Sequence, residues 1–454
     1  MAVQTRAASF VVLLIAAIMA GCATSGLPAA VQPAPATGRP VPVILIPGVL
    51  GSRLGNPATG IEAWPGTTTK LMTSDYLELS LRIDPVTLEP LDDGLVATGL
   101  FESAAGQDFY GRLAAALQRI GGYRRAAPGE QAAPGEERLY VLAYDWRQDN
   151  IQAVRALDAL IDQIRRDYGD PQLRVDVIGH SMGGLIVRYY ERYGTDDVMD
   201  GNAFPVTGAG VSKLRRIVLL SVPNQGAVAA LHSFLTGYRV WLSRLPTEGI
   251  ATMPAMYQLL PHLHVPWITD IRGVPLPLDP FNIEVWRNFG WSVFDRRVQR
   301  RMAAQAGRWP EQAVFERYFE KRLARGRRFA WSLMVPTGDI RMIQPLAFGG
   351  DCLPTLARVV VEEQNGEAVA RLLPEQILHP LPDVDYDELM FEPGDNSITT
   401  ESVAGRYGSH AALQPDETAA GELGQPSFVC EVHEGVTSND RVLDGVLRHL
   451  MSPD

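Results

Sequence analysis

Apolar residues along the chain fall into two kinds of run. Residues 41–46 (VPVILI), 139–143 (LYVLA), 173–178 (LRVDVI) and 214–220 (LRRIVLL) are short and strongly apolar, the length of strands buried on both faces. Between them, residues 109–120 and 151–167 repeat apolar side chains every three or four positions and predict amphipathic helices. Strands and helices alternating at this spacing predict a parallel sheet covered by helices. After Ser221 the pattern changes. Residues 228–328 hold no clear buried strand but many Trp, Pro and Arg, with a helical stretch at 311–325. Strand-like runs return at 329–335 (FAWSLMV) and 358–362 (RVVVE). The pattern reads as one α/β domain, residues 41–227 and 329–454, interrupted by a helical cap at 228–328.

The first forty residues follow neither pattern. An apolar run at 10–20 is too short to span a bilayer and has the length of a signal-peptide core, which places a signal peptide at 1–21. Met19-Ala-Gly-Cys22 resembles a bacterial lipobox, in which Cys22 becomes the lipid-carrying first residue. Residues 22–40 are Ala/Pro-rich and almost uncharged, a tether with an extended reach of roughly 60 Å. Ala23 stands where an Asp is associated with inner-membrane retention, so resemblance to lipoprotein sorting implies a bacterial cell envelope, with the anchor in the outer membrane facing the periplasm.

The composition, 46% hydrophobic and 20% charged over 454 residues, is that of a globular protein. A net charge of −11 lacks the basic footprint of a nucleic-acid binder. The charge is uneven, with eleven Arg or Lys against three Glu between Arg296 and Arg328. This segment reads either as an amphipathic face for anionic headgroups or as a cap helix with a solvated basic face. With Cys22 acylated, Cys352 and Cys430 remain, and a disulfide between them suits an oxidising compartment. No Cys/His cluster has metal-ligand spacing, so neither metal nor organic cofactor is expected.

The chemistry centres on Gly179-His-Ser-Met-Gly183. An apolar strand enters this G-x-S-x-G and an amphipathic helix leaves it, the strand–turn–helix of a nucleophile elbow. A serine hydroxyl needs a base, and the base an orienting carboxylate, in the chain order Ser, acid, His. Among eight histidines, His180 lies in the elbow and by strand alternation should point away, and His232, His262, His264 and His379 precede the expected acid. His410 sits in a loop and His449 within the last helix. His433, after a strand-like 427–432 and before a helix starting near Ser438, fits best. Asp339 and Asp395 both follow short strand-like runs in Gly-Asp turns, and the residues alone leave them open.

Pro47-Gly-Val-Leu-Gly-Ser-Arg-Leu54, Tyr144-Asp-Trp-Arg147, the elbow, Val222-Pro-Asn-Gln-Gly226, the 253–261 segment (MPAMYQLLP) and Gly394-Asp-Asn-Ser-Ile-Thr399 follow one another in order. Together they resemble the lecithin:cholesterol acyltransferase family, lysosomal phospholipase A2-type enzymes included, over about residues 41–450. The resemblance implies an α/β-hydrolase fold with an inserted helical cap and a Ser181, Asp395, His433 triad. It also implies oxyanion N–H donors at Leu50 and Met182. The chain departs from it at Asn396-Ser397, where the family usually has Gly-Thr.

The expected activity is acyl transfer from a phospholipid or other ester lipid, at a membrane surface, through an acyl-Ser181 intermediate to an alcohol or water. The alternatives are an esterase for small soluble esters and a non-catalytic envelope lipoprotein using the fold for binding. Tyr144–Arg147 is expected to be structural, and Trp64 either a lid residue in contact with lipid or a packing residue. Oligomeric state is not addressed by the sequence.

Overall fold

A computed structural model of the chain describes residues 41–305, 307–405 and 423–453. The expected signal peptide, Cys22, the tether and His410 lie outside these residues. Among the described residues seven strands form the central sheet: β1 (Val43–Ile46), β2 (Arg124–Arg125), β3 (Arg138–Val141), β4 (Val175–His180), β5 (Leu214–Leu220), β6 (Leu346–Gly350) and β7 (Ser427–Val429). Their order is β7-β6-β5-β4-β1-β3-β2, and every pairing is parallel. The longer helices are α1 (Gly111–Arg119), α2 (Asn150–Asp167), α3 (Met182–Tyr193), α4 (Val228–Thr236), α5 (Arg296–Ala304), α6 (Gln312–Ser332) and α7 (Asp440–Met451).

The continuous apolar strands follow from burial on both sheet faces. Along β1, Ile44 and Ile46 join one core cluster with Val154, Leu157 and Ile161 of α2 and Ile186 of α3. Val43 and Leu45, offset by one residue, join a second cluster with Leu113 and Leu117 of α1 and Val442, Val446 and Leu450 of α7. A two-residue period with both faces covered leaves no position on β1 for a polar side chain, and the buried Asp176 of β4 is held by Arg215. In α2 the apolar residues 151, 154, 157, 161 and 164 form one buried stripe, and Asp149 caps its first turn by accepting from Ile151 N–H at 3.0 Å.

The chain lays β2 and β3 on one side of β1 and then continues with β4 on the other. Such a reversal opens a crevice beyond the C-terminal ends of the two strands, where ligands bind in open α/β sheets. The loop after β1 and the elbow after β4 meet there.

Residues 221–345 form the insertion between β5 and β6. Its regular structure is mainly helical, with a hairpin (Tyr238–Val240 and Ser243–Leu245) and a short strand (Ile268–Asp270) that the sequence pattern does not reveal. Its interior is aromatic: Phe234, Tyr257, Trp286 and Phe319 meet edge to face at 4.8–6.1 Å between centroids. In α6, Phe315, Tyr318, Phe319 and Leu323 are buried. Arg322 is buried too and pairs with Glu89, Arg325 pairs with Asp149 and Asp197, and Arg301 with Glu248. Arg322 and Arg325 therefore tie α6 to the core, Arg301 pairs within the cap, and Arg296, Arg297, Arg300 and Arg317 are exposed.

Two expectations change. Residues 329–335 are not a strand. Their first four residues are the last turn of α6, with Phe329 and Ala330 buried there and Leu333 buried just beyond it. A short apolar run of this length does not distinguish a buried helix from a buried strand. The strand near 358–362 exists, Val359–Gln364, but it lies in a separate three-stranded sheet with Ile268–Asp270 and Glu367–Arg371. The sixth strand of the central sheet is β6, which is Gly-rich (LAFGG) and gives little apolar signal.

Candidate active site

β4 ends at His180 and α3 begins at Met182, leaving Ser181 alone in the turn with φ 53° and ψ −125°. A side chain in this region is strained and persists only where its surroundings over-determine it. Here they do. Ser181 N–H donates to Leu220 O at 2.8 Å, and Gly184 N–H donates to Ser181 O at 3.0 Å. A Cβ on Gly179 would lie 2.6 Å from Gly184 Cα, and one on Gly48 would lie 2.7 Å from Ser181 Cβ. Only glycine lets α3 and the 47–54 loop close on the serine.

His433 stands in the loop after β7, and its Nε2 lies 2.9 Å from Ser181 Oγ. Its Nδ1 lies 2.8 Å from Asp395 Oδ2. Asp395 follows the strand Phe391–Gly394, and its fully buried carboxylate also accepts from Ser397 N–H at 3.0 Å and Ile398 N–H at 2.7 Å. The two segments are joined again by His433 N–H donating to Asp395 O at 2.9 Å. The carboxylate only accepts, so the proton sits on His433 Nδ1 and the Nε2 lone pair faces the serine hydroxyl. Burial alone would raise the Asp395 pKa; His433 and the backbone donors outweigh it and hold the carboxyl below its usual range. Burial would likewise lower His433, but Asp395, with a contribution from Glu434, raises it above the ordinary imidazole value.

Asn396, in the position where Gly is usual, adopts φ 72°. Asn tolerates this left-handed conformation better than most residues, so the turn survives the exchange. Asp339 is exposed in the loop ahead of β6. Cys352 and Cys430 form a disulfide. It links the stretch beside Leu353, which pairs with Gly394, to the loop three residues before His433.

Leu50 has φ 62° and lines the cavity with Ser181, and Met182 is the first residue of α3, where N–H groups have no acceptor within the helix. Trp64 is buried. Its indole N–H donates to Leu50 O at 2.8 Å, and it meets Tyr76, Phe101 and Trp146 edge to face. Tyr144–Arg147 is a brace. Tyr144 O–H donates to Pro47 O at 2.8 Å, Trp146 N–H to Ser52 O at 3.1 Å, and buried Arg147 pairs with Asp93 and Asp145.

His180 does not point away from the site. Its ring is 4.9 Å from that of His433, between Tyr110 and the His433 carbonyl. Strand alternation holds, since His180 shares the Ile178 face with Tyr110, but at the end of β4 that face meets the loop carrying His433. Burial, then the neighbouring His433, pushes its pKa down to about 3, so it is neutral. Tyr110, at the N-terminus of α1, carries no signal in the sequence.

Ser181 opens onto a cavity of about 380 Å³. Its walls are apolar, built by Phe101, Phe109 and Trp146 of the core and Val240, Trp241, Leu245, Ile250, Met253 and Met256 of the cap, with Arg239 and Glu434 as the charged residues.

No curated protein matches the sequence. One similar solved structure is a chain of the Tle4–Tli4 complex, at 13% identity and a TM-score of 0.57, covering 91% of this chain and 98% of that one. At this identity the likeness speaks to the fold alone. The lipase BlEst2 from Bacillus licheniformis (11% identity, TM-score 0.34, 93% and 95% covered) and lipase 1 from Pelosinus fermentans (12%, 0.35, 92% and 100%) score too low to bear on it. The family model for lecithin:cholesterol acyltransferase matches residues 92–324, a narrower span than the motif resemblance and one that includes the elbow and most of the cap but neither Asp395 nor His433. With that match over just more than half of its length, the chain belongs to the lecithin:cholesterol acyltransferase family.

Proposed function

We propose that the protein transfers a fatty-acyl group from an ester lipid, through an acyl-Ser181 intermediate, to an alcohol or to water. The observation that carries this reading is the Ser181–His433–Asp395 chain of contacts at the mouth of an apolar cavity. His433 Nε2 takes the hydroxyl proton as Ser181 Oγ bonds to the ester carbonyl carbon, and the carbonyl oxygen becomes an oxyanion facing the Leu50 and Met182 N–H groups. The C–O bond to the leaving alcohol then breaks, with His433 returning the proton to that alcohol. Acceptor alcohol or water repeats the sequence in reverse and frees the serine. Removing one oxyanion donor typically costs about 2.7–4 kcal/mol, so placement of the 48–50 backbone matters as much as the triad. The cavity offers the donor's acyl chain an apolar site, worth about 0.8 kcal/mol per buried CH₂. A small soluble ester would leave most of it unfilled.

Lipidation at Cys22 would hold this site near a bilayer, in the bacterial cell envelope and, by the sorting signal at Ala23, in the periplasmic face of the outer membrane. Incubation with labelled phospholipid, with and without a lipid alcohol, tests the reaction: acylated alcohol marks a transferase and free fatty acid alone a hydrolase. Lack of either product, or equal fluorophosphonate labelling of wild type and Ser181→Ala, would overturn the reading.

A further inference from the structure

We propose that His180 and Tyr110 form a one-directional hydrogen-bond relay that holds the 48–50 loop and His433 at a fixed spacing around Ser181, making both of them positioning residues. The inference rests on the catalytic reading above. Gly48 N–H can only donate, and it donates to Tyr110 Oη at 2.9 Å. Tyr110 Oη lies 2.8 Å from His180 Nδ1, and His180 Nε2 lies 3.3 Å from His433 O. The carbonyl of His433 can only accept, so Nε2 must carry the proton for that contact to be a hydrogen bond. A neutral imidazole has one N–H, which leaves Nδ1 as an acceptor that takes the Tyr110 hydroxyl proton. Every group then has one role. Gly48 N–H donates to Tyr110, Tyr110 to His180, and His180 to His433.

Both ends of the relay touch the reaction. Gly48 lies two residues before Leu50, the expected oxyanion donor, and packs against Ser181. His433 O belongs to the residue whose ring faces the serine. Tyr110 and His180 are both buried, and the two hydrogen bonds of the Tyr110 hydroxyl are buried with them. The relay answers a need the triad leaves unmet. The triad orients the His433 ring, while nothing in it ties that loop to the loop after β1. Neither residue touches the reacting atoms, so their effect is on geometry, where errors near 1 Å cost about a hundredfold.

The test uses the full chain with 4-nitrophenyl octanoate as probe. Nitrogen NMR of histidine-labelled wild type should show His180 as the neutral Nε2–H tautomer between about pH 5 and 9, and Tyr110→Phe should lose that single tautomer. Tyr110→Phe and His180→Phe should lower kcat by about 10- to 100-fold with little change in KM. His180→Gln, whose amide can donate in place of Nε2–H, should recover most of the loss. An Nδ1–H tautomer in wild type, or folded His180→Phe with wild-type kcat, would overturn the relay. Wild type that is not labelled at Ser181 by a fluorophosphonate would instead overturn the catalytic reading, whatever the tautomer.

Discussion

Replacing Asp395 by Asn keeps the volume of the side chain and reverses half of its hydrogen bonding. The native carboxylate accepts on both oxygens, from Ser397 and Ile398 N–H on one side and from His433 Nδ1–H on the other. An Asn amide must turn one face to each. With its oxygen toward the two backbone donors, the NH₂ group points at His433 Nδ1 and makes that nitrogen an acceptor. The ring proton then moves to Nε2, which can no longer take the Ser181 proton. With the amide flipped, NH₂ faces two N–H groups in a buried site, leaving donors unsatisfied at about 1–3 kcal/mol each, so the first arrangement wins. The same exchange in a serine-protease triad lowers kcat by about 10⁴, roughly 5.4 kcal/mol of transition-state stabilisation. We expect a loss of that order in 4-nitrophenyl ester hydrolysis, with unchanged circular dichroism and KM within a few-fold. A folded Asp395→Asn enzyme that keeps more than about a tenth of wild-type kcat would refute the reasoning and return Asp339 to consideration.

Further outcomes follow from the same geometry. Because Asp395 raises His433 above the ordinary imidazole value and the base must be neutral, the acid limb of kcat/KM should have its midpoint above about pH 6.5. Residual activity of Asp395→Ala should shift that limb to lower pH, and an unmoved limb would exclude His433 as the titrating group. Ala230→Phe, aimed into the cavity, should cost long-chain esters about fourfold in kcat/KM for each carbon excluded and spare short ones, measured across a chain-length series. Trp64→Ala should destabilise by about 3–5 kcal/mol in urea titrations, because the indole is buried in the aromatic wall. Removing the Cys352–Cys430 disulfide, at a separation of 78 residues, should cost about 2–4 kcal/mol and show as a lower unfolding midpoint in the double serine variant.

Local and periodic features were legible before the fold was known. The alternation of apolar strands with amphipathic helices implies a covered parallel sheet because each element must hide its own face, and the faces are written in residue spacing. The elbow is legible for the same reason: strand, Gly-x-Ser-x-Gly and helix are contiguous, so one stretch of sequence carries the whole turn. The helix end within 329–335 and the Gly-rich β6 mark the limit of periodicity where a run is short or rich in glycine.

What the sequence by itself determined is the fold class, the elbow serine and a short list of partners. The tertiary structure decided between Asp395 and Asp339 as neighbour of His433, because that distance is set by the pairing of Leu353 with Gly394 and by where β7 ends. It also brought Tyr110 and His180 between the two loops, and turned Trp64 and Arg322 of the cap helix inward. None of these contacts has a local signature. They join residues up to hundreds of positions apart, and only packing of the whole sheet with its cap puts their atoms within bonding reach.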